Sequence, residues 1–350
     1  MKPLISVVLP VWNGARWLTE AIDSIRRQTL ENFELIVVDD GSTDGSADII
    51  EASARSDRRI RNFRQERYGL VAALNRGLSE AQGQLIARLD ADDRAHLQRL
   101  QKQTEYLDQH LDVGLLGSWA ELIDEQGSVI GFRKYQTRPE SLMPLLPRTN
   151  PLLHSSIMVR QSVLQKVGFY RPAFEGAEDY DLWLRVSEIA KVANLPEYLV
   201  QYRLHTTSVT YRHKVRQLFS ARLAQRAAHF REIGKHDPTS ELTTAPNWRD
   251  AEVLKSPIYG DIARLFRFLA LGDSVELSSL AADQFDTAAL SESDIVLSHA
   301  ERRMAQLALL NLLRQGAGQR VTHRIGMLWT FVRLHPPRAA QLGCQLLHRS

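Results

Sequence analysis

The segment FELIVVDDGSTD, residues 33–44, decides the fold class of this chain. Its first half, 33–38, is an apolar and β-branched run of the kind that forms a buried strand. The run stops at an acidic loop, and the next residues are typical caps of a helix N-terminus: Ser42, Thr43 and Asp44. The segment therefore predicts a strand, a polar turn and a helix, which is the repeating unit of an α/β sheet.

The same unit recurs before and after this segment. Apolar, strand-like runs lie at 4–9 and 85–89, with a weaker strand candidate at 60–63, and the chain between them places apolar residues at helical spacing. Because these runs have the pattern of buried strands and not of strands that alternate between apolar and polar residues, we expect a mostly parallel, Rossmann-like sheet with helices on both faces. Ligands of such sheets bind beyond the carboxyl ends of the strands, and polar clusters fall at these ends: Asn13, Asp39, Asp40 and 90–93.

The middle of the chain has a mixed pattern, which predicts a second α/β half. Its predicted elements are three strands and one helix, at 113–119, 129–132, 155–159 and 178–189. From about Arg212 the composition shifts to Ala, Leu, Arg and Gln, which predicts a mainly α-helical C-terminal region over 212–350.

The composition is that of a globular protein, with 44% hydrophobic and 24% charged residues. The 44 basic and 41 acidic side chains leave a net charge of +3, which favours no class of partner. Cys344 is the single cysteine, so an intrachain disulfide is excluded. The N-terminal residues lack a signal-peptide pattern, and no apolar run reaches the about 18 residues of a membrane helix, so a cytoplasmic protein is expected.

Three carboxylates crowd together in Asp90-Ala91-Asp92-Asp93, directly after a predicted strand. Like charges this close raise one another's pKa and destabilise the fold unless a cation or hydrogen-bond donors compensate. A hard divalent ion, Mg²⁺ or Mn²⁺, shared with diphosphate oxygens would compensate them. The alternative is a solvated cluster that caps the following helix, and the triplet alone favours this alternative.

Further polar positions are candidates, each with an alternative. Asp39 and Asp40 can accept hydrogen bonds from a nucleobase or a ribose, or simply form a strand-to-helix turn. Asp179 is a candidate general base, or a charge that favours a helix N-terminus. His205 is a candidate metal ligand, although a lone histidine is more often a surface or core residue. Because the chain has neither the glycine-rich dinucleotide fingerprint nor the Walker loop, a diphosphate would need a metal.

The order of these positions resembles that in bacterial family 2 glycosyltransferases of the GT-A fold. The resemblance covers roughly residues 4–210 and rests on seven segments in the order found in the family. They are SVVLPVWN (6–13), FELIVVDDGSTD (33–44), GLVAALN (69–75), IARLDADD (86–93), HSSIMVR (154–160), EDYDLWLR (178–185) and YRLH (202–205). One departure is Leu97, where relatives often carry proline, and we expect a shifted turn there with no loss of metal binding.

The resemblance implies a metal-dependent, inverting transfer of a sugar from a nucleotide diphosphate-sugar, with a UDP-sugar favoured. The acceptor would be a hydroxyl of a saccharide or a lipid-linked acceptor, in bacterial cell-surface polysaccharide synthesis. Residues 1–211 would form the GT-A domain, with a nucleotide-binding half over 1–95 and an acceptor-binding half over 96–211.

The resemblance also implies roles for individual residues. The nucleotide-sugar would contact Pro10, Trp12, Asp39, Asp40, Gly69, Asn75, Asp90, Ala91 and Asp92. The catalytic base would be Asp179, and the acceptor side would hold His154, Glu178 and Trp183. Mn²⁺ or Mg²⁺ would be bound by Asp92 and His205.

Proteins of other classes are alternatives. A binding or scaffold module of the same fold would keep the nucleotide pocket without turnover, and the joint presence of Asp92, Asp179 and His205 argues against it. A phosphoacceptor signalling domain would be much shorter. A nucleotidyltransferase would show a glycine-rich loop near the N-terminus, and none is present.

The C-terminal region is basic, since 302–350 holds eight arginines and no carboxylate. Apolar residues from Val321 to Val332 lie at helical spacing with arginines beside them. Such a helix is a candidate for binding an anionic membrane surface, at about 1 kcal/mol per basic residue. Packing on neighbouring helices or in a homodimer is the alternative. Nucleic acid is not expected as a partner, because no nucleic-acid-binding motif accompanies the charge.

Overall fold

The computed structural model of the chain describes residues 2–205, 214–247, 249–256, 259–260, 262–263 and 266. The chain divides into two compact units: Met1–Ser208 with Ala224–Ala245, and Val209–Leu223 with Pro246–Ser350. All candidate site residues lie in the first unit. The domain boundary expected at 211/212 stays a prediction.

The N-terminal half of the first unit alternates strands and helices. Its strands are β1 Ile5–Val11, β2 Phe33–Asp40, β3 Ile60–Gln65 and β4 Leu85–Arg88. Its helices are α1 Ala15–Arg26, α2 Ser46–Ser56 and α3 Leu70–Glu80. The four strands are parallel and lie in the order β3-β2-β1-β4, which confirms the predicted parallel arrangement.

The following residues continue the sheet. The strands are β5 Arg94–Ala95, β6 Val113–Ile123, β7 Val129–Arg133, β8 Met158–Arg160 and β9 Lys191–Arg203. The helices are α4 Arg99–Gln109, α5 Pro139–Leu142, α6 Gln161–Val167 and α7 Glu178–Ser187. Short 3₁₀ helices occur at Met143–Leu145, His154–Ser156 and Pro172–Phe174.

Strand β8 joins the two halves, because it pairs antiparallel with β4 on one side and with β6 on the other. Strand β9 is parallel to β6 and antiparallel to β5, while β7 is antiparallel to β6. Among the described residues this makes one sheet of nine strands, ordered β3-β2-β1-β4-β8-β6-β9-β5 with β7 beside β6.

One hydrophobic cluster connects the strands of both halves. Leu9 and Leu35 from the first half share it with Met158, Leu116 and Leu195 from the second. Each fully buried side chain of this size stabilises the fold by about 1.5–3 kcal/mol. Strands β1 and β2 are buried along their whole length, as expected for strands covered on both faces.

Proline occurs inside β1, although it cannot donate a hydrogen bond to a sheet. The pairing of β1 with β2 continues to Val11, but its pairing with β4 ends at Val8 opposite Arg88. Pro10 therefore lies beyond the end of β4. Because no β4 carbonyl lies opposite it, the missing N–H of proline costs the sheet no hydrogen bond on that side. The last residues of β1 border an open edge of the sheet.

Two local predictions are wrong in detail. The strand expected at 155–159 begins only at Met158, because Ser156 donates from both its N–H and its hydroxyl to the Leu153 carbonyl and forms a turn. The helix expected to be capped within 42–44 has Gly45 as its N-cap with no side-chain cap. Strand β3, the weakest of the predicted strands, has Ile60 as its one buried residue, and its other residues alternate between partly buried and exposed, as suits a strand at the edge of a sheet.

The described part of the C-terminal region is mainly α-helical, as expected, and its other residues lie outside the description. Helices α8 Lys214–Glu232 and α9 Ala251–Lys255 are present, but the described residues between them form turns and loop. Gly234, with φ of 69°, follows the end of α8 and turns the chain out of the helix. The basic stripe from Val321 to Val332 lies outside the described residues. None of the helices that the structure describes combines the length and apolar character needed to cross a bilayer.

Candidate active site

The loops after β1 and β2 are tied together at the open edge of the sheet. Asn13 has a left-handed backbone with φ of 49°, which asparagine tolerates better than most residues. Its N–H donates to Ser42 Oγ at 2.9 Å, and its Oδ1 accepts from the Thr43 N–H at 2.8 Å. The two loops therefore form one rim around the end of β2.

The Asp40 carboxylate organises the loop that leads into α3. Its Oδ1 accepts from Gln65 Nε2 at 2.8 Å and from the Tyr68 N–H at 2.9 Å. Its Oδ2 accepts from the Gly69 N–H at 2.9 Å and from Arg67 Nη1 at 3.1 Å. Four donors thus occupy Asp40, and its contact with a nucleotide stays a prediction.

Asp39 has different surroundings. Its Oδ1 accepts from the Ser42 N–H at 2.9 Å. Its Oδ2 is buried and has no hydrogen-bond partner among the described residues, with Arg64 Nε 3.4 Å away. A buried carboxylate oxygen without a hydrogen-bond donor destabilises the fold. At the end of β2, Asp39 Oδ2 is therefore the carboxylate oxygen that can still accept a hydrogen bond from a ligand.

The other residues assigned to the nucleotide differ in exposure. Pro10 is buried in β1, whereas Trp12 is 50% exposed with the Arg67 guanidinium carbon 3.3 Å from its ring centroid. The Asn75 amide exchanges two hydrogen bonds with the Tyr170 backbone, at 2.8 and 3.0 Å. Asn75 therefore fixes Tyr170, and its role at the nucleotide stays a prediction.

The carboxylates of the triplet converge. Oxygen atoms of Asp90, Asp92 and Asp93 lie within 4.8 Å of one another. Asp90 accepts from both terminal nitrogens of the buried Arg88 and from Ser155 Oγ, the latter at 2.8 Å. Arg88 also donates to Ser155 Oγ at 2.9 Å. These donors fix the Asp90 carboxylate and offset part of the negative charge.

Asp92 and His205 are in direct contact although 113 positions separate them in the chain. His205 Nε2 lies 2.8 Å from Asp92 Oδ2, and the Trp17 ring centroid lies 4.6 Å from that of His205. Strand β9 places His205, because the Arg203 N–H donates to Asp93 Oδ1 and Arg203 Nε to the Asp92 carbonyl, both at 2.8 Å. The two predicted metal ligands are thus neighbours.

The electrostatics of the triplet are dominated by burial. Burial raises the pKa of Asp93 well above its usual range, and the charges of Asp92 and Asp90 raise it further. Burial also raises the pKa of Asp90, although Arg88 opposes the change. A cation would favour the ionised form of these carboxylates.

The residues present fit a divalent ion. Carboxylate oxygens with one imidazole are an acceptable ligand set for Mn²⁺ or Mg²⁺. The buried Asp93 Oδ2 has no partner among the described residues, which is a further sign of uncompensated negative charge. Asp92 and His205 would be ligands of such an ion.

Helix α7 begins with two acidic residues in different environments. Glu178 is buried, and its Oε2 accepts from the Gly176 N–H at 2.8 Å. Asp179 is partly exposed; its Oδ1 accepts from the Tyr180 N–H at 2.6 Å and its Oδ2 from Asn150 Nδ2 at 3.0 Å. Asp179 is therefore the one of the two that a ligand can reach.

The Asp179 carboxyl shares its electrostatic environment with the triplet. Burial raises its pKa, Arg88 lowers it and Asp90 raises it. A raised pKa makes a carboxylate a stronger base. Contacts also connect the two: Ser155 bonds to Asp90, and the neighbouring His154 packs against Trp183 of α7, so the candidate base and the candidate metal site belong to one region.

His154 and Tyr170 lie in the same region. His154 Nε2 lies 2.8 Å from the Tyr170 hydroxyl. Burial and the nearby Arg88 lower the pKa of His154 well below its usual value, so its imidazole is neutral. Trp183 is fully buried with its ring centroid 5.8 Å from that of His154. Trp183 supports His154 from the core, and the assignment of both to the acceptor side stays a prediction.

An ionic network anchors α7. Asp181 is fully buried and pairs with Arg171 and with Arg185, the latter at 2.8 Å. Arg171 also pairs with Asp237 at 2.8 Å, and Arg231 pairs with Asp237 at 2.6 Å. Removing one member would leave a buried charge unpaired, which typically costs about 3–5 kcal/mol. The network therefore fixes the helix that carries Asp179.

Glu178 makes stability depend on pH. Burial and the charge of Asp179 raise the pKa of Glu178 from 4.5 to about 7. The stability that its neutral carboxyl contributes is therefore fully present below pH 4.5 and is lost as the pH rises through 7. Between pH 5 and pH 8 we expect the free energy of unfolding of the wild type to fall by about 2 kcal/mol more than that of Glu178→Gln. Urea unfolding of both proteins at both pH values measures the difference. Parallel losses in the two proteins would contradict this role of Glu178.

Several residues of this region were not found from the sequence. Arg88 had a signal, because it is the one charged residue in the apolar run 85–89. Ser155 and Arg203 lie within the segments 154–160 and 202–205 that carry the resemblance, but no role was assigned to them. Asn150 and Tyr170 had no signal, since each meets its partner through a contact between distant parts of the chain.

Comparison with known proteins identifies relatives of the sequence. The family model described as glycosyl transferase family 2 matches residues 6–168. An uncharacterized glycosyltransferase from Haemophilus influenzae is 34% identical over 224 residues, which are 61% of this chain and 69% of that protein.

Two solved structures share the fold. S. aureus TarS 1-349 in complex with UDP-GlcNAc aligns with a TM-score of 0.53 and 17% identity, covering 91% of this chain and 93% of that one. The mannosyltransferase PcManGT from Pyrobaculum calidifontis, in complex with GDP-Man and Mn²⁺, aligns with a TM-score of 0.52 and 17% identity, covering 95% and 81%. This likeness confirms the predicted fold class.

Proposed function

This chain belongs to glycosyl transferase family 2, and on that premise we propose that it is a metal-dependent, inverting enzyme that transfers a sugar from a UDP-sugar to a saccharide hydroxyl. The glycosyltransferase class follows from the family. The finer proposal is supported chiefly by the contact of Asp92 with His205 beside the triplet. The partly exposed Asp179 begins α7, whose Trp183 packs against His154 next to the Ser155 that bonds to Asp90.

The preference for a uridine donor is supported by Asp39. Its buried Oδ2 lacks a donor, and the imide N–H of uracil is a suitable one. S. aureus TarS, which shares the fold, was solved with UDP-GlcNAc. The base of the nucleotide would lie at the end of β2, with the diphosphate towards the triplet.

The chemistry divides between a bound ion and the chain's own residues. A divalent ion held by Asp92 and His205 would supply Lewis-acid stabilisation of the negative charge on the leaving nucleoside diphosphate. Asp179 accepts the proton of the acceptor hydroxyl as the oxygen attacks the anomeric carbon. The new carbon–oxygen bond forms on the face opposite the departing diphosphate oxygen, which leaves with the bonding electrons, so the anomeric configuration inverts.

A donor panel tests the nucleotide. In the presence of Mn²⁺, we expect UDP and UDP-sugars to raise the Tm of the protein, and GDP- and ADP-sugars to raise it much less. Asp39→Asn should weaken UDP binding about 10-fold or more, because a hydrogen bond to a charged acceptor contributes about 1.5–3 kcal/mol. Asp108→Asn, at an exposed position on α4, is the control.

Calorimetric titration of UDP into each protein gives the affinities. Equal stabilisation by all nucleotides, or unchanged UDP affinity in Asp39→Asn, would overturn the uridine assignment. Binding of UDP-sugars without transfer to any saccharide would favour the binding or scaffold alternative.

A further inference from the structure

A cleft of about 460 Å³ lies next to α7 and outside the segments that carry the family resemblance. It is lined by 134–136 on one side and by Leu145 with 149–151 on the other. None of these residues was assigned a role above except Asn150, which contacts Asp179.

Asn150 connects this cleft with the proposed base. Its Nδ2 donates to Asp179 Oδ2 at 3.0 Å, while its Oδ1 accepts from the Leu152 N–H at 3.2 Å and so fixes the orientation of the amide. A carboxylate has about four lone-pair sites, so Asp179 can still accept from a ligand hydroxyl after binding Asn150 and the Tyr180 N–H. A molecule in the cleft would thus place a hydroxyl within reach of Asp179.

Both walls of the cleft are held by one buried side chain of β9. Asn194 Nδ2 donates to the Gln136 carbonyl at 2.8 Å and to the Pro151 carbonyl at 3.1 Å. At Gly117 of β6 a Cβ atom would lie only 2.2 Å from Asn194 Oδ1, so glycine is required for this approach. The cleft is therefore shaped before any ligand binds, which reduces the entropic cost of binding.

The cleft is lined by one basic and one aromatic side chain, Lys134 and Tyr135. The segment 133–148 holds four basic residues, Arg133, Lys134, Arg138 and Arg148, and a single acidic one, Glu140. Lys134 is exposed with its Nζ 5.1 Å from the Trp119 ring centroid, and Trp119 Nε1 donates to the Tyr135 carbonyl at 2.9 Å. Within the part of the chain that the structure describes, neither Arg133 nor Lys134 forms an ion pair with a carboxylate.

We propose that this cleft is the acceptor subsite and that the acceptor is a saccharide bearing a carboxylate or phosphate group. Lys134 binds the anionic oxygens, the Tyr135 side of the cleft contacts the sugar ring, and Asn150 lies where the reacting hydroxyl meets Asp179. This inference rests on the proposed function, since it names the acceptor class of that reaction.

Saturation-transfer NMR with defined probes tests the proposal on the full chain with UDP and Mn²⁺. The probes are methyl glucuronide, glucose 6-phosphate and the neutral methyl glucoside. We expect at least one anionic probe to bind more tightly than the neutral one, and the better of the two identifies the carboxylate or the phosphate as the anionic group. Lys134→Gln should weaken that binding about five-fold or more, and Lys134→Arg should restore most of it.

Lys166→Gln, at an exposed lysine of α6 outside the cleft, is the matched control and should leave binding unchanged. UDP affinity and Tm, measured in every variant, should equal those of the wild type. Equal binding of charged and neutral probes, no binding of either anionic probe, or no effect of Lys134→Gln overturns the inference while UDP still binds. A wild type that binds no UDP contradicts the proposed function itself.

Discussion

Replacing Asp179 by asparagine is expected to lower the rate of glycosyl transfer by about 10³-fold, because the acceptor hydroxyl loses its proton acceptor. The donor affinity should not change, since Asp179 lies on the side of Asn150 and the acceptor cleft. The variant should fold normally, because an asparagine still offers one oxygen to the Asn150 amide or the Tyr180 N–H. Transfer rate and UDP-sugar affinity, measured on the same preparation, separate the two effects.

Glu178→Gln is the matched control for this prediction. Glu178 is adjacent in sequence and similar in charge, but it is buried and accepts from the Gly176 N–H. Its replacement should reduce transfer far less than replacement of Asp179. A near-normal rate in Asp179→Asn, or a larger loss in Glu178→Gln, would exclude Asp179 as the base.

The divalent metal is the second feature whose loss has a large expected effect. We expect EDTA to abolish transfer and added Mn²⁺ or Mg²⁺ to restore it, because the leaving diphosphate would lose several kcal/mol of charge stabilisation. Asp92→Asn should lower transfer by about 10³-fold, since one unit of charge is removed from the ion's ligand set.

Direct binding of Mn²⁺ separates metal loss from other defects. Electron paramagnetic resonance reports free Mn²⁺, and the wild type with UDP should reduce that signal more than Asp92→Asn or His205→Ala. Asp108→Asn, which removes an exposed carboxylate on α4, should behave as wild type. Full transfer in chelator would remove the ion from the mechanism.

The strands of the first half were predictable from the sequence because their burial depends on local composition. Strands β1, β2 and β4 are apolar runs that end at polar residues, and the structure ends them within two residues of the expected positions. The antiparallel insertion of β8 was not predictable, because 155–159 has the same β-branched character whichever direction its neighbours run. The turn at Ser156 depends on a hydroxyl that bonds to a carbonyl, and periodicity does not report such a contact.

The residues proposed to act on the ligands were predictable from the sequence, but the contacts that hold them in place were not. Asp92, Asp179 and His205 were assigned because the order of the motifs resembles a family. The contact between Asp92 and His205, the bond from Ser155 to Asp90, and the bond from Asn150 to Asp179 depend on tertiary packing. Pairing between positions this far apart has no signal in one sequence, since neither helical nor strand spacing relates them.

The short strand β8 also restricts how such a chain can diversify. Only three residues, Met158–Arg160, link the parallel strands to the later ones, with Arg160 opposite Leu85 and Val159 opposite Leu115. A chimera that combines residues 1–95 of one relative with the remainder of another would have to preserve the pairing of β8 with both β4 and β6. Either piece alone would expose an unpaired strand edge, which is prone to aggregation. New specificities are therefore more accessible through loop exchange, at segments such as 133–151, than through recombination of whole halves.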